Sequence, residues 1–199
     1  MTIATQVKKT SLDYVTQGDV FEDVDLVEYV TRQENFLTVS RIRFPYVVVL
    51  TQDCDLVQDQ KVRSAESKDQ KNQDKLLFSV LVSPLYNVEH IRAGDHLSDI
   101  NHDMQRIDSR KWKSVRNNEI PRYHYLEFPD SVPLPNSVID FKHYFSVNLA
   151  YLQDAKTTRC RVTIAELFRE DIAHRFAAYL SRIALPDPRD TQPGNAHNK

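Results

Sequence analysis

Along the first quarter of the chain, hydrophobic and polar positions first alternate and then give way to an unbroken apolar run. Residues 36–43 set Phe36, Thr38, Ser40 and Ile42 against Leu37, Val39, Arg41 and Arg43, the period of a half-buried strand. After Pro45 comes Tyr46-Val47-Val48-Val49-Leu50, which reads as a strand buried on both faces. Pro45 suits its first position because it has no N–H to give to a ladder. Upstream, Gln17-Gly18-Asp19-Val20-Phe21 is a turn signal leading into a first strand, and residues 25–30 continue it in partial alternation. A second continuous run, residues 76–83, is cut off by Pro84. The intervening residues 58–75 hold only Val62 and Ala65 as apolar side chains, too little to offset their ordering entropy. The pattern predicts an exposed excursion there, with no more than a frayed helical turn.

Residues 86–122 read as an insertion. Val88, Ile91 and Leu97 suggest short helical turns, while Ile107, Trp112 and Val115 are too sparse for an amphipathic helix. Four short strands follow, at residues 122–126, 137–141, 143–149 and 159–162. Thr163-Ile164-Ala165-Glu166 has the spacing of a capping box. Beyond it Leu167, Phe168, Ile172, Phe176, Tyr179, Leu180 and Ile183 recur mostly at three and four. This predicts a helix over 163–184, ending before Pro186. Residues 187–199 read as a disordered tail. The expected fold is a single β-rich α+β domain over 1–186, either a small SH3-like barrel or a curved antiparallel sheet, with a long insertion and a C-terminal amphipathic helix.

Composition narrows the function classes. With 41% hydrophobic and 27% charged residues, the chain has the make-up of a soluble globular protein. Three scattered glycines leave no phosphate-cradling loop of the Walker or dinucleotide type. A net charge of −2 gives no long-range attraction to nucleic acid, so any such contact needs a local patch. Arg106, Arg110, Lys111, Lys113 and Arg116 around Trp112 form one, with cations for phosphates and an indole for stacking, or else a solvated face with Trp112 anchored in the core. Cys54 and Cys160, without an export signal, read as reduced thiols of a cytoplasmic protein. No apolar run approaches the roughly 20 residues of a membrane helix, so no membrane partner is expected.

Candidate chemistry gathers at Thr51-Gln52-Asp53-Cys54-Asp55, where the central strand ends. Cys54 lies between two carboxylates that oppose thiolate formation, which favours a packing role over a nucleophilic one. Asp53 and Asp55, two apart, share a face if the strand continues and then suit a hard cation; capping a turn or helix N-terminus is the favoured alternative. His90, His96 and His102 lack metal-ligand spacing and read as exposed polar residues. His124 and His143, flanked by tyrosines, are candidates for a general base or for stacking on a nucleobase.

Gln17-Gly18-Asp19-Val20-Phe21 and Arg43-Phe44-Pro45-Tyr46 through Thr51 together resemble the opening of the MazF/PemK-like toxin fold. That family has a small SH3-like barrel, begins with Gly-Asp-Ile/Val, and places Arg-Pro before an apolar strand ending in Ser or Thr. Here Phe44 stands between Arg43 and Pro45. The resemblance implies a nucleic-acid-binding, metal-independent endoribonuclease that needs no cofactor, with Arg43 as the catalytic or phosphate-contacting arginine and Thr51 near the scissile phosphate. Along more of its length the chain also resembles bacterial proteins of unassigned function, through Cys54-Asp55-Leu56, Phe145-Ser146-Val147, and Arg175-Phe176 through Leu185-Pro186. Two expectations follow. One is a toxin-like RNase or RNA-binding protein using Arg43, Thr51, His124 and His143. The other is a non-catalytic interaction protein, an accessory subunit of a bacterial defence or toxin-antitoxin system, that docks its terminal helix on an antitoxin or another subunit, or pairs as a homodimer.

Overall fold

A computed structural model describes residues 3–9, 11–65 and 73–182. The alternating N-terminal segments form a long hairpin of β1 (Asp19–Gln33) and β2 (Phe36–Val49), paired antiparallel from Val20↔Val48 out to Gln33↔Phe36. Its base joins β3 (Ser79–Asn87), β4 (Tyr123–Leu126), β5 (Ser137–Asp140), β6 (Phe145–Asn148) and β7 (Cys160–Thr163) in a seven-stranded antiparallel sheet. The order is β4-β5-β3-β2-β1-β7, with β6 also on β3. The sheet is open and curved, not a closed barrel, so the fold is the curved-sheet form of the expected β-rich α+β class.

Both prolines that were expected to bound strands lie inside them. Pro45 falls between the Glu22↔Tyr46 and Val24↔Phe44 pairs, opposite Asp23, whose φ of 52° marks a local irregularity. Pro84 pairs with Val47 and falls where β3 changes neighbours on its other edge, from β6, which ends at Val82↔Phe145, to β5, which begins at Leu85↔Ile139. A proline is tolerated where an edge ladder is interrupted.

Among the described residues five α-helices cover the sheet: α1 (Asp53–Ser64), α2 (Val88–Ala93), α3 (Ser109–Arg116), α4 (Leu149–Arg159) and α5 (Glu166–Leu180). Residues 58–64 are therefore helical and not part of a loose excursion. Their anchor is Asp59, a buried carboxylate that accepts the Leu77 N–H at 2.7 Å and Arg63 Nε at 2.6 Å, a tie that counting apolar residues cannot detect. Side-chain caps likewise start two helices that apolar spacing did not predict. Asp108 accepts the Lys111 N–H ahead of α3, and Asn148 accepts the Tyr151 N–H ahead of α4, which takes over Leu149 from the expected strand.

The expected capping box does not form. Thr163 is the last residue of β7 and donates its hydroxyl to Asp19 Oδ1 at 2.6 Å, while Glu166 pairs with Lys8 at 2.8 Å. Helix α5 starts after Ala165 without a side-chain cap, and Leu180 is its last residue. Ile183 and the expected tail lie outside the described residues.

Alternate residues of β2 feed two cores. Val47 and Val49 join Phe21, Val82, Leu152 and Val115 on one face, under α1 to α4. Val48 and Leu50 join Phe141, Ile172, Phe176 and Tyr179 on the other, under α5. The terminal helix thus turns Ile172, Phe176 and Tyr179 onto its own sheet and leaves Leu167 and Leu180 exposed, so Phe176 is not available to a partner. Gly18 makes the turn into β1 at φ 83°, where a Cβ would lie 3.1 Å from Arg169 Cβ and 3.2 Å from the Ile164 carbonyl oxygen.

Candidate functional site

The end of the central strand is a structural clamp. Thr51 Oγ1 accepts the Leu81 N–H at 2.7 Å, holding the β2 exit to β3. Asp53 lies in the first turn of α1, where carboxylates suit the helix dipole. It also accepts the Gln17 N–H at 3.2 Å and pairs with Arg169 at 3.0 Å. The expectation that Asp53 bonds a backbone N–H thus holds, but across the fold and not as a cap of its own helix, since Gln52 occupies that position and makes no side-chain cap. No group of three or more His, Cys, Asp or Glu side chains that could hold a metal ion assembles among the described residues, and Asp53 is engaged by Gln17 and Arg169. Cys54 is exposed, with Sγ 3.6 Å from Gln52 Oε1 and 3.7 Å from Asp55 Oδ1, and neither neighbour is the cation that would activate a thiol.

The four residues of the expected catalytic set are distributed over the fold. Arg43 lies at the root of the hairpin, where its Nε donates to Asp25 at 2.9 Å beside a second arginine, Arg41, at 2.9 Å. These two guanidiniums hold the Asp25 carboxyl below its usual range. Thr51 bonds to β3 at Leu81, five residues before Tyr86, or about 17 Å at strand rise. His124 does not offer a surface base: it is 3% exposed in β4, packs on Phe141, and lines neither cavity described below. His143 stands beside Tyr86. Only Arg43 and His143 approach one another's surroundings, on either side of Tyr86.

What does converge is a group centred on Tyr86, at the point where β3 leaves β2 for β5. Tyr86 Oη is 2.9 Å from His143 Nδ1. Burial raises the tyrosine's pKa above its ordinary value, so the phenol keeps its proton, and either it or Nδ1–H donates according to the imidazole tautomer. Burial lowers the His143 pKa in the same sense, with the Asp140 charge opposing. Asp140, 1% exposed, is saturated by Arg122, whose Nε and Nη2 reach it at 2.5–3.0 Å, and by the Lys142 N–H at 3.0 Å. His96 closes the group. Its ring stands edge-on to Tyr86 at 4.6 Å, burial lowers its pKa against the opposing pull of the Asp140 charge and the His90 backbone, and neither ring nitrogen makes a well-formed hydrogen bond among the described residues.

His96 separates two cavities. A larger one of about 340 Å³ runs under the hairpin root past Phe44, Tyr46, Leu85 and Leu97; a smaller one of about 70 Å³ reaches Lys111, Arg122 and Asp140. Comparison with known protein families and with curated proteins finds no match for this chain. Its site is therefore read from its own chemistry. His96 was expected to be an exposed polar residue; the loop after α2 folds it inward, with Gly94 at φ 82° packed so closely on the Met104 carbonyl that a Cβ would come within 2.3 Å. Tyr86 and Asp140 carried no signal, and Arg122 reads only as one more cation of the basic segment, since their chemistry depends on partners up to 57 residues distant.

The basic patch falls on and before α3. Arg106, Arg110, Lys113 and Arg116 are exposed, and Arg116 lies 3.6 Å from Glu127. Trp112 is not a free platform: its edge meets Tyr125 at 5.8 Å and the Arg92 guanidinium stands over its ring at 5.1 Å. Lys111 lies over Tyr123 at 5.9 Å. The outer hairpin is the other unusual surface. Val30, Leu37 and Val39 share one of its faces and Tyr29 and Phe36 the other, with Phe36 76% and Leu37 67% exposed. Among the described residues no helix is long and apolar enough to cross a membrane.

Proposed function

We propose that this chain is a non-catalytic protein-interaction subunit that presents the outer β1–β2 hairpin to a protein partner. The observation that carries this reading is the hairpin itself, in which residues 22–33 of β1 and 36–46 of β2 pair only with each other, with apolar side chains on both faces of its outer part. A two-stranded ribbon is marginal in water and gains nothing from exposing Phe36, Leu37, Val30 and Val39 unless something covers them. Its root is fixed by polar cross-strand pairs, Asp25 with Arg41 and Arg43, and Glu28 with Ser40. These hold the arm in place without using its apolar tip. An accessory role in a bacterial defence or toxin-antitoxin assembly suits such an arm.

The test is equilibrium binding of the purified chain to the purified products of its neighbouring genes. Phe36→Asp combined with Leu37→Asp should weaken the complex at least about 100-fold, the loss of two apolar anchors, with an unchanged urea midpoint. Unchanged affinity in the double variant, or no complex with any neighbour product, would sink this reading.

A second reading, RNA contact at α3, is supported by the four exposed cations there. The enclosed Trp112 favours phosphate contact over base stacking, and the separation of Arg43, Thr51 and His124 gives no support to cleavage. On this reading, affinity for single-stranded RNA falls with salt at a log–log slope of about −3 for four phosphates, and Arg110→Ala with Lys113→Ala lowers the slope by about 1.4. A salt-independent affinity, or none at low salt, excludes it.

A further inference from the structure

The larger cavity has the construction of a ligand site. β2 and β3 pair only from Val47↔Pro84 to Val49↔Val82, after which β3 turns to β5 and β2 continues outward with β1. The strands diverge as a fork, with Pro45 and Pro84 at its crotch, and the loop after α2 roofs the gap. The resulting space of about 340 Å³ is within the range of small-molecule pockets, roughly 300–1,000 Å³. Its walls are apolar and aromatic: Phe44 and Tyr46 from β2, Leu85 and Tyr86 from β3, Leu97 and Ile100 from the loop.

His96 supplies the polar specificity. It lines the cavity while making no well-formed hydrogen bond through either nitrogen among the described residues, an unfavourable state for a buried polar atom. Burial, and then the neighbouring His143, keep the ring neutral at pH 7, so it offers one donor and one acceptor. Imidazole χ2 wells are broad, so a small rotation turns either ring edge to a ligand. Tyr86 cannot take over that role, because its hydroxyl is committed to His143. The charges at the mouth discourage an anion: Asp95 and Asp99 line it, and Arg43, the guanidinium there, is held by Asp25. His90 is spent on Asp95 at 3.0 Å.

We propose that this cleft binds an uncharged, planar heteroaromatic molecule of nucleobase or nucleoside size, its ring against the wall formed by Phe44, Tyr46 and Tyr86 and its donor–acceptor edge on His96. Such a ligand matches the flat aromatic walls, supplies a partner for whichever His96 nitrogen is turned to it, and carries no phosphate to meet the two aspartates. The site lies at the root of the hairpin, so occupancy bears on Ile42 and Phe44, through which the arm joins the sheet.

Adenosine, guanosine, cytidine and uridine are the probes, each titrated to millimolar concentration into the full chain by calorimetry. The imidazole ¹⁵N resonances are followed in parallel. At least one nucleoside should bind saturably and shift both His96 ring nitrogens while leaving the exposed His102 unmoved. Its 5′-monophosphate should bind about tenfold more weakly, the cost of bringing a phosphate to Asp95 and Asp99. His96→Phe, which keeps a ring against Tyr86 but removes both hydrogen-bonding atoms, should fold with a native far-UV spectrum and lose at least about tenfold in affinity. The proposal is overturned if no nucleoside binds the wild type, if His96→Phe binds equally well, if the monophosphate binds more tightly, or if choline displaces the nucleoside and so marks the cleft as a cation site.

Discussion

Replacing Lys156 by Met should cost this protein roughly 3–5 kcal/mol of stability, the penalty of stranding a buried charge. Lys156 Nζ lies 2.5 Å from Asp19 Oδ2, and the two residues are 4% and 0% exposed. The same carboxylate accepts the Thr16 N–H at 2.7 Å, the Thr16 hydroxyl at 3.1 Å and the Thr163 hydroxyl at 2.6 Å. One buried anion therefore joins the start of β1 to the last turn of α4 and the end of β7, which lie 137 and 144 residues further along the chain. Methionine fills the lysine's volume but leaves the carboxylate without its cation. Since whole domains are stable by only about 5–15 kcal/mol, the loss should show as a large drop in the urea midpoint. Asp19→Asn in the same chain should restore most of it, because the amide oxygen can keep the Thr16 N–H while the amide NH2 donates to the Thr16 and Thr163 hydroxyls, which rotate to accept. A single Lys156→Met variant within about 1 kcal/mol of wild type would mean that the pair is solvated and not structural.

The Asp19–Lys156 pair also marks the limit of what the primary structure reveals. Strands declared themselves wherever burial imposes a period: Val20-Phe21, Tyr46 to Leu50 and Val80 to Val82 were all legible, and so was the apolar stripe of α5. Helices α1, α3 and α4 were obscure because single polar groups secure them, Asp59 holding α1 and Asp108 and Asn148 capping the other two. Periodicity does not register such ties. The resemblance at Gly18-Asp19 and Arg43 rested on residues that here do structural work, Asp19 within the buried ion pair and Arg43 on Asp25. The Tyr86 group was invisible for a different reason. Its members come from β3, the loop after α2, β5 and the turn that follows β5, and only the fork between β2 and β3 brings them together. His96 reads as one more polar residue in a polar loop until Gly94 folds it inward.

Acid should unfold the protein through His124 before most carboxylates titrate. The ring is 3% exposed between Phe141 and the strand interior, its Nδ1 has no partner, and burial, reinforced by the Arg175 charge, depresses its pKa to about 3. In the unfolded chain the same imidazole titrates near 6.5. Between these values the unfolded state binds more protons than the folded one, so stability is complete above pH 6.5 and falls as pH drops toward 3. The loss amounts to about 3 kcal/mol by pH 4, with His96 and His143, both also depressed by burial, acting in the same direction. Depressed carboxylates at Asp25, Glu119 and Glu166 contribute only below about pH 4.5, and all three are far more exposed than His124. Urea midpoints of wild type and His124→Leu, taken from pH 7 to pH 4, separate these contributions. Leucine has a similar volume and asks for no partner where Nδ1 finds none, so the variant should match or exceed wild type at pH 4 and lose most of the slope between pH 6.5 and 4. Parallel slopes in the two proteins would place the acid sensitivity elsewhere, in His96 and His143, where it would then report on the cleft and not on the core.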